Sequence, residues 1–144
     1  INTLITRSSK NRQLMEVGIS KGKKAITNYK TLETFENNKV PTLSLVECKL
    51  ETGRTHQIRV HMKSIGHPIL SDETYSGGIK MIKSFHVKYV KLLKEVLYTI
   101  KRVALHAESI EVIHPSTNKK IRFNTKIPSD IEETINLTKN HESL

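Results

Sequence analysis

The segment Gly53-Arg54-Thr55-His56-Gln57-Ile58-Arg59-Val60-His61-Met62 carries the densest chemistry in the chain: two guanidiniums, two imidazoles, an amide and a hydroxyl. Thr52 and Gly53 break the run before it, and Thr55 is the predicted helix N-cap. Ile58, Met62 and Ile65 then fall at i, i+4 and i+7, one apolar stripe. Gly66, with Pro68 two residues on, is a normal helix stop. The reading is a strand, a tight turn, and a three-turn helix that carries Arg59 beside its buried stripe.

Working upstream, residues 24–35 alternate: Ala25, Thr27, Tyr29 and Thr31 share one parity, with Ile26 and Leu32 on the other. β-Branched and aromatic residues at period two predict a strand. A polar turn at 36–41 and a second strand at 42–50 complete an antiparallel hairpin. In that second strand the apolar parity changes between Leu45 and Val46, which means a strand buried on both faces or a bulge near Leu45. Downstream, 71–78 reads as a loop and 79–100 as one amphipathic helix with Lys80, Lys83, Lys88, Lys91 and Lys94 near its outer face. Residues 108–113 and 119–124 predict another hairpin. Residues 128–138 predict a short helix, with Glu132 and Glu133 in the first turn where the helix dipole favours acids, and fraying is expected at 139–144. Antiparallel strands with segregated helices make the fold class α+β.

The length, 144 residues, suits one domain, and a domain of that size buries roughly 70% of its unfolded surface. No run approaches the roughly 20 apolar residues of a membrane span, so the expectation is a soluble, cytoplasmic protein. A lone Cys48 excludes a disulfide-built scaffold and points to a reducing compartment. Its place mid-strand among apolar neighbours suits an inert thiol. The 24 Lys+Arg against 14 Asp+Glu give a net charge of +10, which favours a polyanionic partner such as nucleic acid. A solvated basic surface accounts for the same count.

Gly53 followed by a helix N-terminus offers backbone N–H groups to a phosphate, and Arg54 adds a fork of donors. Arg59, held by packing, could clamp a carboxylate. An amphipathic helix whose polar face is merely rich in Arg and His fits the same pattern. His56 and His61 are five apart, off the spacing that puts two metal ligands on one helix face, and no Cys-x-x-Cys is present, so no metal site is expected. The aspartates are Asp72 and Asp130. Asp130 suits a helix start, Asp72 suits a turn organiser, and neither has a neighbouring carboxylate for acid–base work.

The ten-residue block, followed by Gly66-His67-Pro68-Ile69-Leu70, Asp72 and Tyr75, resembles the RluA-type ribosomal pseudouridine synthases. Ala25-Ile26-Thr27-Asn28-Tyr29, Leu105-His106-Ala107 and His114-Pro115 are similar to further signatures in the family's order. The resemblance runs from about residue 10 to 130. It implies a mixed, largely antiparallel sheet flanked by helices, and conversion of uridine to pseudouridine in structured RNA without metal or cofactor. It also implies a pocket containing an essential Asp, a Tyr, and an Arg paired with that Asp. The Arg falls on Arg59, and an apolar pocket position falls on Leu105. Arg54, Thr55, His56, Gln57 and Lys63 are the candidates for RNA contact.

The family's Asp lies in a His-Arg-Leu-Asp segment that this sequence lacks, and neither Asp72 nor Asp130 matches it. Its pocket Tyr is also unmatched, Tyr29 corresponding to a structural position. With Ile1 in first place, the expectation is the C-terminal half of a catalytic domain, inactive alone. Arg59 is then the partner of an absent Asp, and an exposed sheet edge invites self-association. The alternative is a non-catalytic RNA-binding module derived from the same family.

Overall fold

The computed structural model, which describes residues 1–37 and 40–140, begins with two strands, β1 (Asn2–Arg7) and β2 (Met15–Gly18). β1 pairs antiparallel with β2 on one side and with β3 (Lys23–Asn37) on the other. β3 pairs in turn with β4 (Val40–Leu50), giving the sheet order β2-β1-β3-β4. The polar turn expected at 36–41 centres on Asn38 and Lys39, outside the described residues.

β4 carries half-buried residues of both parities, Leu43 and Leu45 on one and Val46 and Cys48 on the other. Thr31 faces Val46 and Glu33 faces Leu45, so Leu32 is the extra residue of a bulge in β3. A bulge leaves one residue unpaired and turns the following side chains over. Both readings of the parity change are met: β4 is half-buried on both faces, and the bulge lies opposite Leu45 and Val46.

α1 (Gln57–Ser64) lies across the start of β3. It differs from expectation in three ways. It has eight residues, little more than two turns. Its N-cap is His56, in the left-handed region at φ 55°, and not Thr55. The backbone N–H of Arg54 is already taken by Gln57 Oε1 at 3.0 Å, which closes a turn over 54–57 and delays the helix. The buried face is also rotated: Gln57, Val60, His61 and Met62 are inside, whereas Ile58 and Ile65 are only half-buried.

Two polar side chains can face inward because β3 satisfies them. Gln57 Nε2 donates to Ile26 O (2.9 Å) and Thr27 Oγ1 (3.0 Å), and its Oε1 accepts from Thr52 Oγ1 (2.8 Å). His61 Nδ1 bonds Thr27 Oγ1 at 2.8 Å and its Nε2 bonds Thr3 Oγ1 at 2.9 Å. Every polar atom of both side chains has a partner, which removes most of the penalty for burying them. Burial holds the His61 pKa below the usual imidazole value, so it is neutral at pH 7.

The single long helix expected over 79–100 is interrupted. 3-10 turns cover Ile79–Ser84 and Val87–Tyr89, and the α-helix proper, α2, is Val90–Thr99. Phe85 is extended between them, and His86 Nδ1 accepts from the Lys88 N–H to start a new turn. The extended residue lets the Phe85 ring pack on Ile82, Leu92, Leu93 and Val96, which outweighs continuous helix where Val87 and Val90 weaken propensity. β5 (Ser109–Ile113) and β6 (Lys120–Asn124) form a separate antiparallel hairpin. α3 (Ser129–Asn140) packs on α2 through Leu137. It continues two residues past Thr138, and the rest of the expected frayed end, 141–144, lies outside the described residues.

The class is α+β, with every described ladder antiparallel. Two apolar clusters hold it. One surrounds α2; the other joins Ile5, Ala25, Val60 and Tyr75, and the site stands over this second cluster.

Candidate active site

Asp72 begins a tight loop that fixes its own carboxylate. Its N–H donates to Ile69 O (3.1 Å), and its carbonyl accepts from the Tyr75 N–H (3.2 Å) and the Gly77 N–H (2.8 Å). Gly77 comes so close that a Cβ there would stand 1.7 Å from Ile69 O, so no other residue fits. The Tyr75 N–H also reaches Asp72 Oδ1 at 3.0 Å. The expected role of Asp72 as turn organiser is what the loop uses, with a second role added.

That second role is toward Arg59. Nε donates to Asp72 Oδ2 and Nη2 to Oδ1, each at 2.8 Å, a parallel two-point pair. Asp72 is fully buried, and the Arg59 side chain is 18% exposed. Burial pushes the Asp72 carboxyl up, but the Arg59 bonds, the backbone N–H groups of Tyr75 and Thr74 and the guanidinium charge together hold it below its usual range. The same bonds raise Arg59. Both groups are therefore ionised across the neutral range.

Tyr75 forms the floor. The Arg59 guanidinium carbon lies 4.7 Å from its ring centroid, a cation–π contact, and Lys63 Nζ lies at 5.9 Å. The phenol oxygen accepts from the Met15 N–H (3.0 Å) and lies 2.8 Å from His56 Nδ1. Tyr75 is 1% exposed, so its own hydrogen must also be satisfied, and Nδ1 is the acceptor that satisfies it. The remaining His56 proton is then on Nε2. Burial lowers the His56 pKa, the Arg59 charge lowers it further, and Asp72 opposes them in part. His56 is a neutral imidazole tied to Tyr75.

One expectation is extended and one corrected. Asp72, an acid within the chain, already holds one edge of the Arg59 guanidinium, a partner the sequence reading did not assign to it. The pair uses two of its five N–H donors, and three remain outside it. Gln57, expected at the RNA surface, is 3% exposed and spends its amide on Thr52, Ile26 and Thr27. Arg54 and Thr55 are exposed, with Arg54 Nε anchored to Lys24 O at 3.0 Å, and Lys63 is exposed beside Tyr75.

Leu105 lies partly exposed in the irregular segment after α2. Ala104 N–H donates to Leu70 O at 2.9 Å, which ties the Leu-His-Ala segment to the residues just before Asp72. Asp130 pairs with Arg102 at the start of α3, away from this loop in the chain. Burial, then Glu47, raises the Cys48 thiol, in keeping with an inert role. Among the described residues no group of three His, Cys, Asp or Glu is arranged to hold a metal ion, and no helix is long and apolar enough to cross a membrane. Tyr75 as the platform was missed by sequence reasoning. Its spacing of three from Asp72, one turn of loop, was the available signal.

The arrangement can present an oriented, permanently charged donor edge at a partly secluded position. Residues 1–64 match the RNA pseudouridylate synthase family. Ribosomal large subunit pseudouridine synthase D of Zymomonas mobilis is 41% identical over 133 residues, 92% of this chain and 38% of that protein. The protein of the same name from Xylella fastidiosa is 39% identical over 131 residues, 91% of this chain and 37% of its own length. The chain thus spans less than two fifths of these relatives. Human RNA pseudouridylate synthase domain containing 1 superposes with a TM-score of 0.62 at 22% identity, over 96% of this chain and 58% of that one, a likeness of fold. The Arg-bearing block, its order of signatures and these relatives agree: the chain belongs to the RluA-type pseudouridine synthases.

Proposed function

We propose that these residues form the arginine side of the pocket of an RNA uridine isomerase, acting on uridines of structured ribosomal RNA. In the reaction the N1–C1′ bond breaks and a C5–C1′ bond forms. C5 gives up its proton and N1 gains one. No oxidant, metal or cofactor is needed for that balance.

The observation that carries the reading is the two-point Arg59–Asp72 pair resting on Tyr75. A guanidinium fixed along one edge keeps its other edge in a set direction, and preorganised charge is what a secluded pocket needs. In this reading the catalytic carboxylate comes from outside the 144 residues. Asp72 is not a substitute, because both its oxygens are engaged and it is fully buried. Leu105 supplies apolar lining, tied beside the Asp72 loop by the Ala104–Leu70 bond. Arg54, Thr55 and Lys63, with the net charge of +10, support a grip on the phosphates flanking a splayed-out uridine. His56, being neutral, would contribute a hydrogen bond through Nε2 and no charge.

The reading includes self-association through incomplete sheet surface. On the second hairpin Ile110 faces Phe123 across the ladder, and both are largely exposed.

The test is pseudouridine mapping in a ribosomal RNA transcript. The 144 residues alone should leave it unmodified, and a polypeptide that also carries the His-Arg-Leu-Asp segment should modify it. Modification by the chain alone would remove the external carboxylate, and none by either would remove the isomerase.

A further inference from the structure

A second basic feature lies apart from the Arg59–Tyr75 pair. The end of β1, the start of β3 and the loop after β4 converge on a depression of about 480 Å³. Arg7, Lys23 and Arg54 line it, with Thr6, Gly53 and Thr55 between them, and none of the described residues lining it is an Asp or Glu. The β1–β3 ladder sets this convergence, pairing Ile5 with Lys23. The Arg54 Nε bond to Lys24 O then draws the β4–α1 loop against the same end of β3.

Two of the three cations are held from behind. Arg7 Nη1 donates to Arg12 O (2.9 Å) and Arg54 Nε to Lys24 O (3.0 Å), which leaves most of each guanidinium fork available. The acid opposite Thr6 in the ladder, Glu16, accepts from the Ser9 N–H instead. At Gly53 a Cβ would meet nothing within 4 Å, so the backbone there borders open space and a ligand can approach it closely. Three like charges around one concavity repel one another unless an anion occupies it. Arg forks, a Lys point charge and hydroxyls are the donor set that suits phosphate oxygens.

We infer that Arg7, Lys23 and Arg54 form a phosphate-binding depression, and that its occupant is a phosphodiester of the RNA strand. The inference rests on the RNA reading above for the source of the phosphate, and on geometry alone for the anion site. It adds Arg7 and Lys23, which the sequence did not single out, to Arg54 and Thr55. An RNA strand held here is gripped at a point fixed relative to Arg59 by β3 and α1.

The experiment titrates the 144-residue chain with inorganic phosphate and, separately, with short oligouridylate, following backbone amide resonances and affinity against salt. Both ligands should shift Gly53 and Thr55. In the Arg7→Gln/Lys23→Gln variant those phosphate shifts should vanish and RNA affinity should fall at least tenfold at low salt. The slope of log affinity against log salt should flatten by about 1.4, from roughly 0.7 per lost single-strand phosphate contact. Lys23→Gln alone tests the same point without disturbing the Arg7 bond to Arg12, and Lys119→Gln on the second hairpin is the control that should change neither. Absence of shifts with both ligands overturns the site. Shifts with phosphate but none with oligouridylate overturn RNA as the source while leaving an anion site. Unchanged RNA affinity in both Lys23 variants overturns the role of this depression in gripping RNA, whatever the fate of the isomerase reading.

Discussion

Arg59 and Asp72 meet side-on, Nε to Oδ2 and Nη2 to Oδ1, each at 2.8 Å, with the Tyr75 ring beneath the guanidinium. They lie thirteen positions apart in sequence, with a helix end between them. The contact locks α1 to the loop that follows it.

Asp72→Asn keeps an acceptor for the Tyr75 N–H but removes the charge and half of the fork. Breaking one side of a largely buried pair leaves the other side uncompensated, and we expect a loss of about 3 kcal/mol in urea unfolding. A change under about 1 kcal/mol would mean that the pair is solvated and contributes as a surface ion pair does.

The pH dependence follows from groups whose folded pKa values are all lowered. For His56 and His61 the unfolded chain takes up protons first, below about pH 6.5, so stability falls as pH drops from there. Asp72, also lowered, adds a second loss that begins near its unfolded value of about 3.9 and continues as pH falls through its folded one. Unfolding free energy measured from pH 7 to pH 3 should therefore decline in two stages, and the second should be smaller in Asp72→Asn, with a remainder from Glu111 and Asp130, whose carboxyls are also held low by Lys120 and Arg102. A profile that rises on acidification contradicts both assignments.

Thr27→Val tests the polar seam between β3 and α1. Its hydroxyl serves Gln57 Nε2 and His61 Nδ1 together, both buried, so its loss leaves two polar groups short of partners. We expect about 2 kcal/mol of destabilisation despite the matched shape, read by the same denaturation. A neutral outcome would show that water or a shifted side chain replaces the hydroxyl.

Much of the fold was legible because period two and turn residues speak locally. The 24–50 hairpin, the second hairpin and the terminal helix stand where alternation, Pro and acidic first-turn residues put them. β1 and β2 were missed: six and four residues long, they give too few periods to detect, and only Ile5 of β1 is fully buried. The orientation of α1 was misread because hydropathy assigned Gln57 and His61 to the outside. Thr27, thirty residues earlier, makes them an interior pair. The break at Phe85 answers to the α2 core, a tertiary cause with little local trace. In the site, Arg59 was legible from its block, whereas its hold on Asp72 depends on how the loop folds back through Gly77.

Gly77→Ala and Gly53→Ala separate the loop from its surroundings. The first forces a methyl into Ile69 O, and the second meets open space. Gly77→Ala should cost about 2 kcal/mol or more and shift the Arg59 and Tyr75 resonances, with Gly53→Ala near neutral. Equal stability in the two variants would show that the Asp72 loop relaxes freely.

The most direct test of the central claim is release of tritium from C5-labelled uridine in ribosomal RNA. The assay uses the polypeptide that joins these residues to the His-Arg-Leu-Asp segment, carrying Arg, Ala or Lys at position 59. Arg59→Ala should lower the rate by at least roughly 100-fold, as loss of a preorganised donor does. Arg59→Lys should recover little, since an ammonium cannot hold Asp72 along one edge and present a second edge to another carboxylate. Turnover in Arg59→Ala within a few-fold of the parent would contradict the account and reduce the Arg59–Asp72 pair to a structural clamp.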